Sequence, residues 1–79
     1  MSRVKFILNS INGKILDVGY DHGELHSKIL EKFSKENVYG IDIIVKNPSK
    51  HYKKGTAEKI PFQKAFFDSV VAGELIEHL

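Results

Sequence analysis

The chain has 79 residues, enough for one domain, and a net charge of +2, too small a surplus to mark a nucleic-acid surface. Its 42% hydrophobic and 28% charged residues suit a globular protein and carry no disorder signature. Without cysteine it has no disulfide and no thiolate metal site, and without a long apolar run or a leader pattern a cytoplasmic location is expected.

Val4, Ile7, Leu8 and Ile11 recur at the spacing of one helix face, and Asn12-Gly13 supplies a stop. Lys14 to Gly19 is short, apolar and bounded by glycine, which predicts a buried strand. Leu25, Ile29, Leu30 and Phe33 then mark a helix over about 22–35. Asp21, with Glu24 three residues on, predicts a capping box at its start. Val38 to Ile44 reads as a second strand. The stretch 46–54 carries Pro48 and lysines at 46, 50, 53 and 54, so a solvated loop closing with a short strand near 51–55 is expected. Lys59 to Gln63 reads as a turn, with Phe62, Phe66 and Phe67 as core anchors; Asp68 to Gly73 is a further strand, and Glu74 to Leu79 reads as the start of a helix. Strands joined by a crossover helix imply a parallel sheet, one half of a doubly wound α/β fold.

In such sheets ligands sit beyond the carboxyl ends of the strands. Three segments end at that edge. Asp17-Val18-Gly19-Tyr20-Asp21-His22-Gly23 holds two glycines that let the backbone turn tightly beside a ligand. Asp42 ends the second strand, where a carboxylate can accept both hydroxyls of a ribose. Gly73-Glu74 ends the last strand. Each has a bland alternative: Asp21 as a helix cap, Asp42 as a loop cap, His22 as a solvent-facing residue and His78 as a structural one. No catalytic triad, carboxylate pair or metal set stands at a useful spacing.

Taken in order, ILDVGYDHGEL, VYGIDI, GTAEKIPF and AFFDSVVAGELIEHL resemble the signature segments of class I S-adenosylmethionine-dependent methyltransferases, most closely the type 11 branch. The resemblance runs from about residue 13 to 79. It implies a Rossmann-like parallel sheet of about four strands in the order 3-2-1-4. It also implies that the chain is the cofactor-binding part of a single truncated domain, 1–79. By the same resemblance, Asp17, Gly19, Tyr20, Asp21 and Gly23 cup the methionine part of S-adenosylmethionine. Asp42 holds the ribose with Ile43 beside it, Thr56, Ala57 and Glu58 meet the adenine, and Gly73 and Glu74 lie near the reacting methyl.

The chain departs from the family in three places. Asp21 replaces the middle glycine of the loop, Thr56 stands where an aspartate is usual, and residues 43–54 are too few for the usual helix. The strands that supply much of the acceptor pocket in the family lie beyond the matching segments. An open edge on the last strand is therefore expected, with self-association or a completing chain pairing there. The activity implied is methyl transfer to an unidentified acceptor. A non-catalytic S-adenosylmethionine-binding or regulatory module, or a truncated remnant needing a partner chain, is the alternative. No catalytic residue is nominated, because methyl transfer from a sulfonium needs chiefly in-line positioning and exclusion of water.

Overall fold

The computed structural model describes residues 3–21, 24–63, 65–72 and, for the backbone, 75–78. In chain order they form helix α1 (Arg3–Ser10), strand β1 (Ile15–Val18), helix α2 (Leu25–Lys32), a 3-10 turn (Lys35–Asn37), and strands β2 (Val38–Asp42), β3 (Tyr52–Lys54), β4 (Ser69–Ala72) and β5 (Leu75–His78). They make one sheet in the order β3-β2-β1-β4-β5. The first four strands in that order are parallel, as the crossover pattern requires, and β5 runs antiparallel to β4. The 3-2-1-4 order implied by the sequence is the order found. Among the described residues, no helix is long and apolar enough to cross a membrane.

The segment expected to begin a helix after Glu74 is instead β5, paired from Ala72↔Leu75 to Ser69↔His78. A helix there would leave the outer N–H and C=O groups of β4 unpaired, whereas a strand satisfies them. The edge expected to be open on the last parallel strand is thus taken by the chain itself.

Alternation along the strands divides the core. Ile15, Val38 and Val71 point to one face and pack with Ile7, Ile11 and Ile29 from the two helices. Leu16, Tyr39, Ile41 and Val70 point to the other, where Phe67 is buried against them and Phe62 and Phe66 are partly buried. The aromatic rings of 62–67 therefore do for the second face what helices do for the first. Their edge-to-face contacts with Tyr39, at centroid separations of 5.3 to 5.6 Å, suit the ring quadrupoles. Lys14 and Lys53 lay their ammonium groups over Phe66 and Phe62, which shields this face further.

Two elements are shorter than the sequence suggests. Helix α2 starts at Leu25, with Glu24 at the cap position and no side-chain cap bond. Strand β2 stops at Asp42 because that residue's own Oδ1 accepts the Ile43 N–H at 2.8 Å and turns the chain away. The helix usual between these strands is absent from residues 43–51, and β3 follows directly. Its outward edge is closed from within: Ser49 donates its N–H to the Tyr52 carbonyl at 2.8 Å, and its hydroxyl accepts the Tyr52 N–H at 3.2 Å.

Candidate functional site

The register of the sheet sets the site. Asp17 of β1 stands level with Gly40 of β2, and Gly40 level with Tyr52 of β3, so all three share the face that carries the helices. From α2, His26 reaches down onto this row. Its Nδ1 lies 2.9 Å from Asp17 Oδ2 and its Nε2 lies 2.8 Å from the Tyr52 hydroxyl. Asp17 and His26 are both buried. With Nδ1–H donating to the carboxylate, Nε2 accepts from the tyrosine O–H, so both ring nitrogens have a partner.

Gly40 makes this arrangement possible. A Cβ at that position would lie 2.6 Å from Tyr20 Cδ1 and 2.9 Å from Tyr52 Cδ1. The missing side chain leaves space for both rings over β2, where they meet each other at 4.9 Å and His26 at 5.1 and 5.3 Å between centroids. Burial raises the Tyr20 hydroxyl above its ordinary value of 10.0, and the Asp21 and Asp42 carboxylates add to the shift. Burial, helped by Tyr20 and Asp17, raises Tyr52 in the same direction. Both are therefore neutral phenols at physiological pH, suited to hydrogen bonding and not to removing protons.

The loop after β1 is fastened to the end of β2. Gly19 adopts φ +77°, a conformation open to glycine at no steric cost. Its amide donates to the Ile41 carbonyl at 2.7 Å, and the Tyr20 amide donates to the same oxygen at 3.4 Å. The Asp21 amide then donates to Asp42 Oδ2 at 3.2 Å. Residues 19–21 follow the end of β2 in this way, which delays the helix and removes Asp21 from the capping role expected of it. The Asp21 carboxylate has no partner among the described residues.

The structure thus brings Asp17, Gly19, Tyr20, Asp21 and Asp42 together at the carboxyl edge. Ile43 follows Asp42 and is 60% exposed. Thr56 comes to the same edge through Gly55, whose amide donates to the Asp42 carbonyl at 3.0 Å. The Thr56 hydroxyl accepts the Lys59 N–H at 3.1 Å and so holds its own turn. Ala57 and Glu58 stand apart from the Tyr20–Asp21 loop, in a hollow they share with Ile60 and Phe67. Gly23, Gly73 and Glu74 lie outside the described residues, as does His22.

Sequence reasoning missed His26 and Tyr52. Their contact joins residues 26 apart, and no spacing rule links them. The one signal was Gly40 inside a strand, a position that marks the close approach of another group. Beside the network opens a cleft with a volume of about 330 Å³, lined by Tyr20, Asp21, His26, Lys46, Asn47 and Tyr52.

A family model described as a methyltransferase domain matches residues 16–79 of the chain. No curated protein and no solved structure matched it.

Proposed function

The chain belongs to the methyltransferase domain family, whose members generally use S-adenosylmethionine, and from that premise we propose that its carboxyl edge binds this cofactor as the cofactor-binding part of a methyltransferase. The observation that carries the reading is the meeting of the β1 loop and Asp42. The buried Asp42 carboxylate accepts the Asp21 amide, so a loop for the methionine part and an acid for the ribose form one continuous rim. The donor set suits the cofactor. Asp42 supplies anionic oxygens to hydroxyl groups, while Ile43 and Ile44, 60% and 70% exposed, offer an apolar surface to a purine.

When bound, S-adenosylmethionine supplies an electrophilic methyl on a sulfonium. The protein's share is to orient and to exclude water. Gly19 lets the backbone approach, Asp21 and Asp42 face the polar groups, and the network from Asp17 to Tyr52 holds the loop against β3. Gly23, Thr56, Ala57, Glu58, Gly73 and Glu74 join the proposed cofactor set.

Titration calorimetry with S-adenosylmethionine and S-adenosylhomocysteine tests the reading. Micromolar binding that is lost in Asp42→Ala, with the fold retained by circular dichroism, is the expected result. Absence of heat at millimolar ligand overturns it. We propose in addition that a second copy or a completing chain pairs beside β5, the outermost strand on that side of the sheet. Sedimentation velocity should then show association that rises with concentration, and a monodisperse monomer removes the proposal.

A further inference from the structure

The face of the sheet opposite the helices has a cleft of its own, with a volume of about 350 Å³, within the range of small-molecule sites. Tyr39 lines it from β2, with the rings of Phe62 and Phe66 edge to face against it. Tyr39 is 7% exposed, yet its hydroxyl has no hydrogen-bond partner among the described residues. No fully enclosed side-chain oxygen or nitrogen among those residues lacks a partner. The hydroxyl therefore opens outward, into the cleft that Tyr39 lines.

The cleft is also positive. Lys50 and Lys53 line it, and no acidic side chain of the described residues does. Lys53 lies over the Phe62 ring, 5.0 Å from its centroid, and nearby Lys14 lies over Phe66 at 4.4 Å. A ring holds an ammonium through its quadrupole and leaves the charge unneutralised. Lys50 is exposed and has no ion-pair partner among the described residues. Gln63 adds an exposed amide that both donates and accepts.

Lysines beside aromatic rings and an amide complement a flat, hydrogen-bonding ring that carries an anion. A phosphate monoester, with nearly two negative charges at neutral pH, matches two ammonium groups, whereas a carboxylate matches one. We propose that this cleft binds a nucleoside monophosphate. The phosphate sits between Lys50 and Lys53, the base lies against Phe62 and Phe66 with Gln63 at its edge, and the sugar meets the Tyr39 hydroxyl. The site is separate from the carboxyl edge: Tyr39 precedes Asp42 by three residues on β2, about 10 Å along the strand. It also points to the face away from the Tyr20 cleft.

Calorimetry at low salt with adenosine monophosphate, and with adenosine and inorganic phosphate as its two halves, tests the proposal. The nucleotide should bind more tightly than either half. Lys50→Met and Lys53→Met should each weaken it about threefold to fivefold, as for an exposed charge pair, and leave adenosine unaffected. The difference should shrink as salt is added. Tyr39→Phe keeps the ring and should weaken the nucleotide severalfold, with the fold retained by circular dichroism. Lys50, exposed and unpaired, decides the case if Lys53→Met disturbs the packing over Phe62. Because adenine can also reach the carboxyl edge, the titration is repeated in Asp42→Ala and in excess S-adenosylhomocysteine, where nucleotide binding should be unchanged. Binding lost in Asp42→Ala, equal to that of adenosine, or untouched by Lys50→Met overturns the proposal, as does no binding at all. The cofactor reading stands or falls separately, on S-adenosylmethionine itself.

Discussion

His26 joins a strand to a strand through a single ring: Nδ1 meets Asp17 of β1 at 2.9 Å, and Nε2 meets Tyr52 of β3 at 2.8 Å, across the glycine of the strand between them. A buried polar chain of this kind is stable only while each member keeps its partner. Asp17→Ala strands a buried imidazole nitrogen and should cost about 2 kcal/mol in urea unfolding. His26→Leu does the same to the Asp17 carboxylate. Because the two share one bond, the double variant should lose less than the sum of the single losses, with a coupling of about 1 kcal/mol. Strict additivity would show that the pair does not interact in solution.

Gly40→Ala tests the packing above β2. The new methyl overlaps both tyrosine rings, and the overlap involves the ring stem of Tyr20, not a flexible tip. We expect a loss of about 1–3 kcal/mol and a changed near-ultraviolet dichroism from tyrosine. Wild-type stability with an unchanged spectrum would mean that the rings do not rest on Gly40.

The raised tyrosines give stability an alkaline limit. Each hydroxyl holds its proton more firmly in the folded chain than in the unfolded one, where it titrates near 10.0. Below that value the contribution is complete. Above it the unfolded chain has released protons that the folded chain still binds, so stability falls as pH rises toward the folded values. Thermal melts through the alkaline range should show this fall, and Tyr52→Phe should reduce its steepness. A melting temperature independent of pH there would contradict the burial of these rings.

Asp21→Ser should leave the unfolding free energy within about 0.5 kcal/mol of wild type, as for a surface change away from any cap. The carboxylate caps no helix, since α2 begins at Leu25 with Glu24 before it. A loss of a full cap contribution, about 1 kcal/mol, in a thermal or urea melt would restore the capping role.

The sequence made much of the sheet legible because β1 and β4 are short apolar runs bounded by glycine, and because the length between β1 and β2 fits one crossover helix. Asp42 and the β1 loop were legible for the same reason, as both sit where a strand stops. Helix α2 was placed too early because the D-x-x-E pattern competes with bonds the sequence cannot display. The amides of Gly19, Tyr20 and Asp21 are claimed by β2, and those partners lie about twenty residues away. β5 was missed for a similar reason. Leu75 to His78 alternate no more like a strand than a helix, and what decides between them is the unpaired rim of β4. The His26 network was out of reach because it depends on three strands being in register at once.

The turn at Ser49 gives the sheet a direction. Its amide and hydroxyl occupy the two outward groups of Tyr52, the residue that also anchors the buried network. A strand arriving beside β3 would have to evict Ser49 and would meet Lys53 and Lys54 as well. That side is a blunt end, protected by the protein's own chain, and growth of the sheet is confined to the side of β5. The protein therefore guards the flank next to the cleft lined by Tyr20, Lys46 and Tyr52. Strand exchange, whether with a partner or in an aggregate, is steered to the flank farthest from Lys46 and Tyr52.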